Sequence, residues 1–163
     1  WSSDVCSSDL VTAFASQTYL EKHPLSRPED LEHHSCILID SMMIDDANIW
    51  RFNSAGSKEM RDYRVTGNYV CDNTLSALEL ARNHLGIVFA PNESVKNDLK
   101  AGTLVPCFSE QHEWWLDLVA IFRKREYQPW RVQYVLDEML REIRNQLAQT
   151  QLLRPEQDSI IDN

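Results

Sequence analysis

Two polar clusters in this sequence stand where a strand passes into a helix, and both could bind an anion. Ser16 follows the apolar run LVTAFA, and Asp72, Asn73 and Thr74 follow YRVTGNYVC. Such side chains cap a helix by accepting hydrogen bonds from its free N–H groups, and those same N–H groups attract anions. In open α/β sheets, ligands bind beyond the carboxyl ends of the strands. The pattern therefore predicts either simple helix caps or the wall of an anion-binding pocket.

The familiar catalytic and cofactor signatures do not occur in the sequence. It contains no GxSxG, GxGxxG, P-loop or HExxH pattern, so the common nucleophile, dinucleotide, phosphate and zinc-protease sites are not predicted. His33 and His34 are adjacent, would point to different faces of a helix, and have no third ligand at a suitable spacing. Asp45 and Asp46 form one carboxylate pair, which is typical of a surface loop. We therefore expect no enzyme, no metal and no cofactor.

Charge and cysteine usage limit the function classes further. The chain has 16 Lys and Arg against 25 Asp and Glu, a net charge of -9, whereas a DNA-contacting domain carries a basic surface. The longest apolar run, residues 118–122, is far shorter than the roughly 18 residues of a membrane span. The four cysteines form no CxxC pair, and we expect three of them to be buried, reduced thiols. A soluble cytoplasmic protein is expected, and any contact with DNA would lie outside this chain.

Hydrophobic patterning predicts alternating strands and helices in the first part of the chain. Residues 10–15 are typical of a short strand, and Ser16 is typical of the cap of a following helix. A second short helix is expected from Pro28, before a buried strand at CILI, residues 36–39. Residues 50–52 alternate between apolar and polar, which indicates a strand with one buried face.

The clearest pattern is a strand, a helix and a strand within residues 63–91. A single strand is expected from Tyr63 to Cys71, and IVFAP is expected to close the unit as a short strand. The helix between them should bury the apolar residues that recur at helical spacing, namely Leu75, Leu78, Ala81 and Leu85. Such a unit joins parallel strands through a right-handed crossover, so the predicted fold class is α/β.

The remaining residues continue the same alternation. Residues 94–99 predict a short helix with Gly102 as its C-cap, and LVPCF predicts the returning strand. Residues 116–122 predict a long apolar strand. A helix is then expected from Pro129, with one apolar face formed by Val132, Val135, Leu136, Met139, Leu140, Ile143 and Leu147.

The order of these segments resembles the effector-binding domain of LysR-type transcriptional regulators. The stretches VTAFASQTYLEKHPLSRPEDLEHHSCI, WRF and VTGNYVCDNTLSALELARNHLGIVFAP, and the terminal strand and helix, follow in the family order over residues 10–147. The resemblance implies a type 2 periplasmic-binding-protein-like lobe, a parallel-dominated sheet flanked by helices, within an incomplete two-lobed domain. Residues 10–115 would be mainly the second lobe, residues 116–150 the return strand and helix of the first, and residues 151–163 a loose polar tail.

The resemblance also implies a function. The chain would be part of a DNA-binding regulator that binds a small-molecule effector, an anionic one if the helix starts face it, and transmits the binding allosterically. The helix-turn-helix would lie in a missing N-terminal domain, and the whole protein would be a homodimer or homotetramer. A solute-binding protein of a transport system has the same fold and is the alternative. The residues expected at the pocket are Ser16, Gln17, Asp72, Asn73 and Thr74, with Pro91 at the rim.

Two positions depart from the family pattern. Asp72 and Asn73 stand where the family commonly has Asn and then Asp, which moves the negative charge at the helix start. His84 stands where a Gly is usual before Leu85 and Gly86. A histidine near the negative end of a helix dipole is expected to be a surface residue, and a pH-sensitive role is the alternative.

The opening WSSDVCSSDL generates the first testable prediction. It has neither the basic nor the apolar region of a signal peptide, matches nothing at that point of the family, and resembles the translated read-through of a sequencing adaptor. We therefore expect residues 1–9 to be non-native. A sequencing read across the genomic junction upstream of Val11 should show an in-frame helix-turn-helix followed by a long helix. A start codon directly before the same decapeptide would contradict this, and a signal peptide leading into a first lobe would favour the transport alternative.

Overall fold

The computed structural model of the protein describes residues 2–40, 46–53, 59–108, 114–122 and 129–149. The chain divides into two compact units, Val11–Trp114 and a second unit made of Trp1–Leu10 with Trp115–Asn163. Among the described residues, none of the helices combines the length and the hydropathy that a membrane span requires. In chain order the elements are β1 (Ser2–Ala15), α1 (Gln17–Lys22), a 3-10 helix (Pro28–His33), β2 (Cys36–Ile39), β3 (Ile49–Asn53), β4 (Met60–Arg64), β5 (Tyr69–Cys71), α2 (Thr74–Arg82), β6 (Ile87–Pro91), α3 (Asn92–Ala101), β7 (Val105–Pro106), β8 (Trp114–Phe122) and α4 (Trp130–Gln149).

The Val11–Trp114 unit is built on a sheet with the strand order β5-β2-β6-β1-β7. β2 pairs in parallel with β5 on one side and with β6 on the other, which confirms the predicted parallel unit. β1 pairs antiparallel with both β6 and β7, so along this path β1 runs against its neighbours. β2, β5 and β6 therefore end at one edge, called here the carboxyl edge, at Ile39, Cys71 and Pro91. β1 ends at the opposite, amino edge, where β2 and β6 begin.

Both faces of this sheet are covered, which explains why its strands are continuously apolar rather than alternating. One face packs Ala13, Cys36, Leu38 and Ile87 against the side chains of Tyr19, Leu31, Trp50, Phe52, Val65 and Phe108. The other face packs Phe14, Ile37, Val88 and Ala90 against the side chains of Ala77, Leu78, Ala81, Val95 and Leu104. Each large side chain buried in these layers contributes roughly 1.5–3 kcal/mol, so the sheet is fixed from both sides.

The single strand predicted from Tyr63 to Cys71 is wrong. β4 ends at Arg64 and pairs with β3 in a separate two-stranded sheet, and β5 begins only at Tyr69. Between them the chain crosses the start of β2, where the N–H of Cys36 donates to the carbonyl of Thr66 at 2.9 Å. Gly67 lies so close that a Cβ there would be 1.5 Å from the carbonyl oxygen of Cys36. The alternation of apolar and polar residues from Tyr63 to Cys71 therefore covers two separate strands and the segment between them.

Other features also differ from the sequence-based expectation. β1 begins at Ser2 rather than at residue 10, and the short helix from Pro28 is of the 3-10 type. In the predicted apolar face of α2, Leu75 and Leu85 are 72% and 37% exposed. Leu75 lies in the first turn, beyond the end of the sheet, and Leu85 lies after the helix has already ended at Arg82. Of the carboxylate pair expected in a surface loop, Asp45 lies outside the described residues and Asp46 is exposed.

The remaining local predictions can be compared directly. The predicted strands at residues 36–39 and 50–52 and the predicted helix at residues 94–99, with Gly102 as its C-cap at φ 71°, are confirmed. The second strand and the helix are longer than predicted and span Ile49–Asn53 and Asn92–Ala101. Cys36 is buried, and burial raises the pKa of its thiol to about 12. Cys71 and Cys107 are free thiols that are only partly buried, which corrects the expectation that three cysteines are buried.

In the second unit, β8 pairs with β1 and α4 follows it. The apolar face predicted for α4 is buried only in part. Leu140 is 6% exposed, whereas Val135 and Met139 are 54% and 56% exposed. The helical period places all three on one apolar arc, so packing in this unit covers one side of that arc only.

The C-terminal ends of α2 and α3 are joined by an ion pair. Arg82 donates from Nε and from one terminal nitrogen to the two carboxylate oxygens of Asp98, at 2.8 and 2.7 Å. Thr103 Oγ1 donates to the same carboxylate at 2.7 Å, and Asp98 is 7% exposed. These hydrogen bonds, that from Arg82 first, hold the pKa of Asp98 below its usual range. The pair therefore fixes α3 against α2.

Replacement of Gly67 by Ala should reveal the close approach at the start of β2. The added Cβ would meet backbone that cannot rotate away, so we expect a loss of about 3 kcal/mol or more, at the upper end of overpacking costs. Gly102→Ala is the matched control, because its left-handed φ costs about 1–2 kcal/mol while the described residues leave the space around its Cβ open. Urea unfolding of both variants measures the difference. Equal losses would contradict the close approach.

Asp98→Asn should lower stability in a pH-dependent way. Because the folded pKa of Asp98 is depressed, its contribution is present above the unfolded value of about 3.9 and is lost as pH falls through the folded value. The variant should be about 1.5–3 kcal/mol less stable at pH 7, the range for hydrogen bonds to charged groups, with the gap closing in acid. Asp62→Asn removes the exposed pair with Arg51 and should change stability by about 0–1 kcal/mol. A pH-independent gap for Asp98→Asn would contradict this assignment.

Candidate functional site

The three residues Asp72, Asn73 and Thr74 lie at the carboxyl edge, directly after β5. Asn73 is the N-cap of α2, and its Oδ1 accepts from the N–H of Ser76 at 2.8 Å. Its Nδ2 donates to Oδ1 of Asp72 at 2.6 Å. Asp72 and Asn73 are exposed, and Thr74 is half-buried. Asn73 thus caps the helix and also holds the neighbouring carboxylate. A role as helix cap and a place in the wall of a pocket, the two alternatives left open by the sequence, are therefore compatible at this position.

The start of α3 lies at the same edge as the start of α2, because β5 and β6 are both parallel to β2. Pro91 is the N-cap of α3, and its ring carries no atom that could accept a hydrogen bond from the first turn. Asn92 opens the helix, and its Oδ1 is buried without a hydrogen-bond partner in the part of the chain that the structure describes. Two helix starts, each with free N–H groups and a partial positive charge, therefore stand at one edge of one sheet.

Carboxylates share this edge with the helix starts. Ile39 of β2 pairs with Cys71 of β5, and the next N–H along β2, that of Asp40, donates to the carbonyl of Cys71 at 2.8 Å. Asp40 and Asp72 therefore follow neighbouring strands, whose spacing is about 4.8 Å, and both residues are exposed. The edge can accept hydrogen bonds through the carboxylates and donate them through the helix starts.

The structure does not bring Ser16 and Gln17 to this edge. β1 is antiparallel to β6, with Phe14 opposite Val88 and Val11 opposite Pro91. Ser16 lies two residues beyond Phe14 and Pro91 three residues beyond Val88 in the other direction, about 17 Å apart at about 3.3 Å per residue. The carboxyl ends of strands meet at one edge of a sheet only if the strands run in the same direction. The sequence of residues 10–15 does not show the direction of β1. Asp72, Asn73, Thr74 and Pro91 share the carboxyl edge, and Ser16 and Gln17 lie at the amino edge.

Ser16 is a helix cap whose oxygen is already occupied. It is 1% exposed, its Oγ accepts from the N–H of Tyr19 at 3.2 Å, and Nδ1 of His84 lies 2.8 Å from the same oxygen. Gln17 is exposed and its side chain donates to Glu21 at 3.4 Å. Because Ser16 is buried and its hydroxyl contacts both Tyr19 and His84, it acts as a structural junction.

His84 occupies the left-handed position that closes α2. Its φ is 65°, and the N–H groups of His84 and Leu85 donate back to Ala81 and Leu80 at 3.0 and 3.1 Å, as in a Schellman motif. His84 is exposed, as expected for a histidine at a helix end. Its contact with Ser16 was not predicted, because the two residues are 68 positions apart and no sequence signal connects them.

The adjacent histidines also behave differently from one another. His34 is half-buried, with Nδ1 3.4 Å from the hydroxyl of Tyr19. Burial, with a smaller contribution from His23, lowers the pKa of His34. His33 is exposed beside Glu32, so the two rings diverge as the sequence predicts. Within the described ranges, no group of three or more His, Cys, Asp or Glu side chains is placed to hold a metal ion.

A sheet whose β2, β5 and β6 run in one direction, with apolar layers packed on both of its faces, places this unit among the α/β domains. The profile of the LysR substrate binding domain matches residues 2–144 of this chain. The chain belongs to that family, which has the type 2 periplasmic-binding-protein-like fold, and the predicted fold is confirmed. The match begins at residue 2, whereas the resemblance recognised in the sequence began at residue 10.

Similar proteins place the chain more narrowly within the family. It is 85% identical over 147 residues to a protein of Escherichia coli (strain K12) described as the uncharacterized HTH-type transcriptional regulator YiaU, covering 90% of this chain and 45% of the relative. The chain thus spans less than half the length of that relative. This relative is named as a regulator, which favours the predicted regulator over the solute-binding alternative.

Solved structures show the same fold. The full-length structure of the Vibrio cholerae virulence activator AphB has a TM-score of 0.70 at 19% identity, over 83% of this chain and 46% of that chain. The regulatory domain of CrgA from Neisseria meningitidis has a TM-score of 0.71 at 22% identity, over 86% of this chain and 68% of that chain.

A double-mutant cycle should show that Ser16 and His84 stabilise one another. His84→Ala keeps the strained φ and loses the hydrogen bond, and Ser16→Ala also loses the helix cap, so each should cost about 1 kcal/mol. Because both remove the same contact, the double variant should lose less than the sum, by about 0.5–1.5 kcal/mol. His33→Ala is the control, because the side chain of His33 is 79% exposed and forms its ion pair with the neighbouring Glu32. Additive losses for Ser16 and His84 in urea unfolding would show that the contact does not contribute.

Proposed function

We propose that this chain is the effector-binding part of a transcriptional regulator and that its carboxyl edge binds a small-molecule effector. The observation that carries the proposal is the meeting of two helix starts, those of α2 and α3, at one edge of the sheet of a LysR substrate-binding domain. Asp72, Asn73 and Thr74 form one side of the site and Pro91 the other. Ser16 and Gln17 are left out of it, because they lie at the amino edge.

The chemistry of this edge suggests the class of effector. An anionic group is favoured by the free N–H groups of the two helices. Asp40 and Asp72 carry negative charge at the same edge and would repel a ligand that is anionic throughout. We therefore propose an effector that combines an acidic group with a hydroxyl or amino group, so that the helix starts bind the acid and the carboxylates accept from the donor.

The activity of the whole protein is part of the same proposal. The whole protein would bind DNA through a helix-turn-helix outside this chain, assemble as a homodimer or homotetramer in the cytoplasm and catalyse no reaction. The relative named as an HTH-type regulator supports the DNA-binding part of this proposal. We assign residues 10–115 mainly to the second lobe of the effector domain and residues 116–150 to the return strand and helix of the first. Effector binding would act by favouring one of two arrangements of the oligomer over the other.

A chimaera with the Escherichia coli relative tests this function. The 147 matched residues of that relative would be replaced by those of this chain, which the 85% identity makes a conservative exchange. We expect the folded chimaera to retain a specific DNA site in an in vitro selection. We also expect its melting temperature to rise with a member of a panel of small hydroxy acids, amino acids and dicarboxylates. A chimaera that is folded by circular dichroism yet selects no DNA site would contradict the regulator.

The carboxyl edge is tested by Asp72→Asn in the same chimaera. If the carboxylate accepts a hydrogen bond from the effector, its loss should cost about 1.5–3 kcal/mol, which weakens Kd about tenfold or more. Asn73 and the cap of α2 remain intact in this variant, so the fold is preserved. Gln17→Ala is the matched control at the amino edge and should leave Kd unchanged. A larger loss for Gln17→Ala than for Asp72→Asn would overturn the site while leaving the regulator itself in place.

A further inference from the structure

We draw no further inference here: the strongest candidate, the pairing of Asp40 and Asp72 with the start of α3 at the carboxyl edge, belongs to the site already described, and Asn92, whose Oδ1 has no partner among the described residues, is too exposed as a side chain to show that a ligand binds there.

Discussion

The parallel pairing of β2 with both β5 and β6 is the constraint on which the candidate site depends. A helix that follows a strand begins where the strand ends, so parallel neighbours bring their helix starts together at one edge. The pairing requires the segments before β5 and before β6 to pass very close to the start of β2. A Cβ on Gly67 would lie 1.5 Å from the carbonyl oxygen of Cys36, and a Cβ on Gly86 would lie 2.3 Å from that of Ser35. These two glycines therefore have a role in the site although neither is near it.

Helix capping and ligand binding draw on the same atoms at the carboxyl edge. Asn73 satisfies one N–H of α2 and fixes the carboxylate of Asp72 with its other end, and a neutral amide at the cap leaves the partial charge of the helix start in place. At α3 the cap is Pro91, which offers no side-chain acceptor. The first N–H groups of an α-helix have no partner within the helix, and the side chain of Asn73 accepts from one of those of α2. Ser16 shows the opposite case to Pro91, since its oxygen is shared between Tyr19 and His84.

The sequence predicts the elements well where local chemistry decides them, and fails where distant segments decide. Ser16 and Asn73 are caps because serine and asparagine accept from a helix start wherever they stand. The break between β4 and β5 is different, because it arises from the approach of Gly67 to Cys36, thirty-one residues earlier in the chain. The direction of β1 is likewise set by its pairing with β6 and β7. It places Ser16 and Gln17 at the opposite edge from Asp72 and Asn73, although all four are polar residues at helix starts. Of the six positions proposed for the pocket, the topology places four, Asp72, Asn73, Thr74 and Pro91, at one edge of the sheet.

The order of Asp72 and Asn73 decides where the negative charge lies at the start of α2. An aspartate at the cap would place its charge against the helix dipole and largely cancel it. Here the amide occupies the cap and the carboxylate stands one residue earlier, at the end of β5 beside the end of β2. Positive and negative character are thereby separated along the edge instead of cancelling at one point. A ligand that carries both an acid and a donor matches such an edge better than a simple anion, since each of its groups then meets a partner of opposite character.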